Sequence, residues 1–293
     1  MIKQNTETNL KEFAQVNFLT SDNINDVKKL TLCSTRQDLR ITSPIRVECF
    51  SPGEYENKNS WQHPHFDYSI SEFGFRGENT LPAEVDLAAF GCSFTFGQGL
   101  AEHMAWPNLL ATSLGMSIYN FGQPMTGVKN IADLFAILTN HVKIKHAVFL
   151  LPPYHRLQIA AKNRRSNSVD FLPIIPNYGH YDWIKTRYGV NVDEIYKELP
   201  NEEMLKIFKD SVYLIDYLAR LKGIQTYYSS WDKDTYQFLK QMTRDLTVLP
   251  EWTARSEYTG VVEYLKNDRA RDMEHPGIKH HENWVWQIKD YIK

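Results

Sequence analysis

Three side chains in this sequence have the types and the surroundings of a nucleophile with its base. Ser93 stands in the run Gly91-Cys92-Ser93-Phe94-Thr95-Phe96-Gly97, directly after the apolar stretch VDLAAF at 85–90. A hydroxyl that follows a parallel strand, is flanked by glycine and enters a helix sits where open α/β sheets bind ligands. The plainer alternative is a helix N-cap serine in a tight turn. Far downstream, Arg271-Asp272-Met273-Glu274-His275-Pro276-Gly277 places an Asp one turn before a His, just ahead of the last predicted helix. That spacing lets the Asp272 carboxylate reach Nδ1 of His275 and hold the tautomer whose Nε2 takes a proton from a serine hydroxyl. Alone, such a pair is a solvated loop with a capping Asp; its value comes from Ser93.

Other reactive groups weigh less. Cys92 adjoins Ser93 and is the more reactive type at neutral pH, but neighbours in an extended segment point to opposite faces, so with Ser93 in a site Cys92 faces the core. His63, His65, His275, His280 and His281 cluster in two places without an acidic partner at ligand spacing, so no metal is expected. The segment 151–170 carries Arg156, Lys162, Arg164 and Arg165 against Asp170 alone, a solvated loop or the flank of a site for an anionic or glycan substrate. Nearby Tyr178, Tyr181, Trp183 and Tyr188 suit core packing of that segment, or stacking on sugar rings.

The elements that would position these groups alternate. VDLAAF leads into helical spacing over 106–114; MSIYNF (116–121) leads through a Gly/Pro turn into a helical period at about 127–142; HAVFLL (146–151) follows. After Pro152 and Pro153 the alternation stops for an insertion at about 153–201. It resumes with an amphipathic helix at about 202–222, stopped by Gly223, then the strand IQTYYSS (224–230), a short strand at 246–249 and a helix at about 277–291. Strands alternating with helices imply a parallel sheet covered on both faces. Residues 1–80, broken by polar runs and rich in Pro, Gly and Asn over 51–68, read as an irregular leader packed on a domain spanning 81–293.

The two blocks together resemble those of the SGNH, or GDSL-like, hydrolase family, in which a Gly-Asp-Ser turn follows strand one and D-x-x-H-P comes last. The flanks FGFRGEN (73–79) and AWPNLLATSL (105–114) are similar to those of many members, and the resemblance covers roughly 70–160 and 265–292. It implies a three-layer α/β/α sandwich of flavodoxin-like type, with a parallel sheet of about five strands. It also implies Ser93, His275 and Asp272 as a triad, hydrolysing small acyl or acetyl esters, on carbohydrate among others, without a cofactor. The family's second block supplies a glycine amide to the oxyanion; Gly127 is the better match by position, with Gly122 as the fallback, and either glycine serves a turn alone in the plain reading. The third block departs from the pattern. Where members carry an Asn donor, this chain has Leu151-Pro152-Pro153-Tyr154-His155-Arg156, so a third donor beside the Ser93 and Gly127 amides must be Tyr154, His155 or Arg156, with Arg156 preferred for its permanent charge. Acyl transfer to a sugar hydroxyl, or a non-catalytic glycan- or ligand-binding module, are the alternatives.

Composition sets the remaining bounds. Hydrophobic residues at 42% and charged residues at 23% exclude disordered and fibrous classes. Thirty-three Lys and Arg against 35 Asp and Glu give a net charge of −2, so no basic field for nucleic acid is expected. Cys33, Cys49 and Cys92 form no C-x-x-C pair, and neither a secretory signal nor a membrane span is legible, so a cytoplasmic protein with a small-molecule or carbohydrate ester as partner is expected. The oligomeric state is not legible.

Overall fold

The runs around VDLAAF and HAVFLL are apolar at successive positions because helices cover both faces of their strands. The computed structural model describes residues 46–48, 67–71, 73–77, 80–165, 167, 169–176, 182–242, 245–252, 268–270 and 275–292. In chain order, β1 (Arg46–Glu48) pairs antiparallel with β2 (Asp67–Ser69), and β3 (Glu84–Gly91) runs into the single turn α1 (Ser93–Phe96). Then come α2 (Trp106–Leu114), β4 (Ile118–Asn120), α3 (Val128–Leu138) and β5 (Lys143–Leu151). Next are β6 (Leu157–Lys162), β7 (Val169–Ile174), α4 (Asp182–Tyr188), α5 (Val192–Glu198) and α6 (Asn201–Lys222). The chain continues with β8 (Gln225–Ser230), α7 (Lys233–Met242) and α8 (Ile278–Ile288), the last extended by a 3-10 turn, Lys289–Tyr291.

The main sheet has the order β4-β3-β5-β8 with every described pair parallel. The chain leaves β3 toward β4 and leaves β5 toward β8, in opposite directions. A crevice therefore opens outside the carboxyl ends of β3 and β5, the switch point at which such sheets bind ligands. This three-layer architecture agrees with the one expected from sequence. One strand differs: the segment expected as a fifth strand, 246–249, makes only the bridge Tyr228↔Val248, held by Tyr228 N–H to Thr247 O (2.9 Å) and Leu249 N–H to Tyr228 O (2.8 Å). Pro250 has no N–H with which to extend the ladder.

Side chains alternate between two cores. Ala88, Phe90, Ala147, Phe149 and Leu151 face α3 and α6, whereas Leu87, Ala89, Val148 and Leu150 face α2 and α8. On the first face an aromatic ladder crosses all four strands. Phe121, just past β4, stacks on Phe90 at 5.1 Å, Phe90 on Phe149 at 4.9 Å, and Phe149 on Tyr228 at 5.2 Å. These are the spacings of paired strands, so the rings repeat the register Phe90↔Phe149↔Tyr228.

The segment after β5 is more ordered than its basic, Pro-flanked sequence suggests. LQIAAK alternates strictly, and β6 pairs antiparallel with β7 from Leu157↔Ile174 to Lys162↔Val169. Leu157, Ile159, Ile184, Tyr188, Val192 and Met204 close a separate small core beneath this hairpin. Tyr188 is thus packed inside rather than offered to a sugar ring; Tyr178 and Tyr181 lie outside the described residues, and Trp183 belongs to α4. Cys33, Cys49, His63 and His65 also lie outside them. No described helix is long and apolar enough to cross a membrane.

Phe149 is fully buried and touches Phe90, Phe135 and Tyr228. Phe149→Ala is expected to lower the unfolding free energy by about 3 to 5 kcal/mol, the usual cost of removing a buried ring. Urea denaturation should show a reduced midpoint with an unchanged slope.

Candidate active site

The turn that carries Ser93 requires glycine before it. A Cβ on Gly91 would collide with Thr95 Oγ1 and the Leu150 carbonyl, so only glycine lets α1 fold back this closely on the end of β3. One helical turn is unstable alone. Here its free ends are held: Cys92 O accepts Thr95 N–H (3.0 Å) and Phe96 N–H (2.9 Å), and Ser93 O accepts Gly97 N–H (2.9 Å), with Gly97 in the left-handed conformation at φ 74°. The carbonyls at the far end meet a buried guanidinium. Arg76 Nη1 donates to Phe96 O (2.9 Å) and Gly97 O (2.7 Å), Nη2 donates to Leu100 O, and the group lies over the rings of Tyr68 (4.9 Å) and Phe96 (5.4 Å). Tyr68 Oη in turn accepts Gly99 N–H at 2.6 Å.

From β4 comes a second support. Asn120 Nδ2 donates to Thr95 O (2.8 Å), and Asn120 Oδ1 accepts Gly122 N–H (2.9 Å). Gly122 itself lies so close to the Thr95–Phe96 backbone that a Cβ would strike Phe96 N. The Gly122 amide is therefore engaged, whereas the Ser93 and Gly127 amides donate to no group among the described residues. Gly127 is the N-cap of α3. Just before it Met125 adopts φ 61°, a left-handed conformation that costs a non-glycine residue about 1 to 2 kcal/mol.

A chain of contacts links the remaining groups at this end of the sheet. Gly127 abuts the Arg156 carbonyl, and the Arg156 guanidinium lies 5.0 Å from the centre of the Trp231 ring. Trp231, just past β8, stacks on Phe94 at 4.8 Å and 9°, and Phe94 meets the ring of His275 at 5.8 Å. Ser93, Gly127, Arg156 and His275 are thus gathered around the switch-point crevice; Asp272 lies outside the described residues. Ser93 Oγ has one hydrogen-bonding contact among the described residues, 4.0 Å from Cys92 Sγ. Cys92 is fully buried in the core that faces α2 and α8, and its sulfur also accepts Trp231 Nε1–H at 3.2 Å. His155 is held below the usual histidine range by burial, against the pull of nearby Asp232, so it sits there as a neutral ring.

Sequence reasoning gave no role to the groups that anchor His275. Ala270 N–H donates to His275 O (2.9 Å) and Gly277 N–H to Asp268 O (2.9 Å), while the Asp268 carboxylate accepts His280 N–H (2.9 Å) at the start of α8. Gly277 has no room for a Cβ beside that carboxylate. His281 is a strut: its Nδ1 accepts the Trp106 N–H that opens α2 (2.9 Å). Burial drives its pKa down to about 3, so it is neutral. His280 and His281 are thereby engaged in structure. Among the described residues no three His, Cys, Asp or Glu side chains are arranged to hold a metal ion.

No family model matches the chain, and no curated protein matches it. Solved structures of similar fold do exist. A protein assigned to the lipolytic G-D-S-L family from Desulfitobacterium hafniense is 14% identical, over 71% of this chain and 99% of its own, with a TM-score of 0.42. TesA is 12% identical, over 71% and 98%, with a TM-score of 0.45. The psychrotrophic esterase EstA from Pseudoalteromonas sp. is 9% identical, over 72% and 99%, with a TM-score of 0.43.

His281 sets a pH dependence of known sign. Its folded pKa of about 3 lies below the ordinary 6.5, so as pH falls below 6.5 the unfolded chain takes up a proton that the folded protein refuses. Stability is therefore complete above pH 6.5 and declines toward pH 3, by at most about 1.4 kcal/mol per pH unit from this group. The melting temperature should fall on acidification from pH 7 to 4, and His281→Gln should flatten that slope.

Proposed function

We propose that the protein is a serine-dependent hydrolase of small acyl esters acting through an acyl-enzyme. The observation that carries this reading is a pair of amides that donate to no group among the described residues: Ser93 N–H, just past the end of β3, and Gly127 N–H, at the N-cap of α3 after the neighbouring strand β4. Backbone donors with no partner among the described residues suit an oxygen that gains charge as the carbonyl is attacked.

The steps follow from these positions. Ser93 Oγ attacks the ester carbonyl while His275 takes its proton, and the carbonyl oxygen becomes an oxyanion between the two amides. Collapse breaks the bond to the alcohol oxygen, which leaves with the proton from His275. Water, deprotonated by His275, then attacks the acyl-enzyme and releases the acid and Ser93. In this scheme Asp272 orients His275. Arg156 is the cation of the site, and its packing on Trp231 fixes its position.

A fluorophosphonate probe tests the nucleophile: one probe should add to the intact protein, Ser93→Ala should abolish the adduct, and Cys92→Ala should retain it. Persistent labelling of Ser93→Ala would exclude Ser93.

Arg156→Met keeps much of the stem and removes the charge. A fall in kcat of about 10² with KM unchanged would give Arg156 an oxyanion role. A rise in KM with kcat unchanged would make it a substrate-binding group.

A further inference from the structure

We propose that Gln123, Thr126 and Asn130 are positioning residues that set the direction of the Gly127 amide; this rests on the reading of that amide as an oxyanion donor. The three lie in the connection from β4 to α3 and in the first turn of α3, and each is 1% exposed. Asn130 Nδ2 donates to Gln123 Oε1 (2.9 Å) and to Thr126 Oγ1 (2.7 Å), so one carboxamide ties both ends of the loop to the helix behind it. Gln123 is also fixed to the nucleophile strand, since its backbone N–H donates to Gly91 O at 2.9 Å. The network thus runs from the last residue of β3 to the residue before Gly127.

Geometry makes Thr126 the control point. The Gly127 N–H lies in the peptide plane shared with the Thr126 carbonyl, so the orientation of Thr126 is the orientation of the donor. A hydrogen bond on Thr126 Oγ1 holds that plane from one side, and the Arg156 carbonyl against Gly127 confines it from the other. The loop needs holding, because Met125 at φ 61° relaxes to ordinary conformations unless its neighbours forbid it.

The chemistry of the network points the same way. Gln123 Nε2 and Asn130 Oδ1 are buried without a hydrogen-bond partner among the described residues. A core selected for stability alone would hold apolar side chains here, because half-satisfied buried carboxamides are costly. What a carboxamide adds that a leucine does not is direction.

Two isosteric pairs test this on the full chain. Thr126→Val removes the acceptor and keeps the shape, Thr126→Ser keeps the hydroxyl, and Asn130→Leu removes the network. Ester turnover, the rate of phosphonylation by a fluorophosphonate and thermal melting are measured for each, at a temperature where all are folded. Thr126→Val and Asn130→Leu should lower kcat and the phosphonylation rate about tenfold or more, with KM within about twofold, and Thr126→Ser should restore most of the loss. Variants that melt earlier but react at the wild-type rate, or that change KM alone, overturn the positioning role while leaving the hydrolase reading intact. A wild-type protein that neither hydrolyses esters nor takes the probe overturns both.

Discussion

The buried guanidinium of Arg76 on the carbonyls of Phe96, Gly97 and Leu100 is the contact on which the rest of the site depends. A single helical turn leaves its last carbonyls unpaired, and here Phe96, Gly97 and Leu100 are all buried. A charged fork at a helix C-terminus answers several acceptors with one side chain and complements the partial negative charge there. Without it α1 would unwind, the Ser93 amide would turn, and Asn120 would lose its acceptor at Thr95 O. The geometry at Ser93 is therefore set from the segment that precedes the sheet, through Arg76 and Tyr68.

Close backbone approach is the second constraint. Gly91 and Gly122 each bring main chain against main chain where a methyl group has no room, and they do so on either side of α1. The aromatic ladder makes that approach rigid, because Phe90 and Phe121 stack directly beneath the two glycines, one residue away in each case. Packing in the core and geometry at the site are thus one problem: a shift of register between β3 and β4 would break the ladder and open the turn together.

The sequence made the sheet legible because two-sided burial writes continuous apolar runs, and helices such as α6 carry a clean period with Gly223 at its end. Ser93 and His275 were legible because a glycine-flanked hydroxyl and a D-x-x-H pair are local patterns. Arg76 was not, since a lone arginine between loop glycines looks solvated, and only the fold shows three carbonyls converging on it. Asn120, Gln123 and Asn130 were hidden for the same reason: their partners lie on other elements, and a buried amide has no period. The hairpin of β6 and β7 was obscured by its charges, although Leu157, Ile159 and Ala161 do alternate. The burial of Cys92, by contrast, followed from the alternation of side chains in an extended segment.

The end of β5 shapes the candidate site in a way that its sequence dictates. Pro152 and Pro153 remove two N–H groups just past the end of β5, so this strand offers no main-chain hydrogen bond at those positions. It contributes shape instead. The Arg156 carbonyl presses on Gly127, and the Tyr196 hydroxyl, with one proton to share, lies 3.0 Å from His155 O and 2.8 Å from Ile174 O at the base of the β6–β7 hairpin. On the proposed reading, the main-chain donors are the Ser93 and Gly127 amides on the β3 and β4 side, with the Arg156 guanidinium as the candidate beside them. The aim of the two amides matters correspondingly more, which is a physical reason for a strained loop and a buried polar network behind Gly127 rather than an ordinary turn.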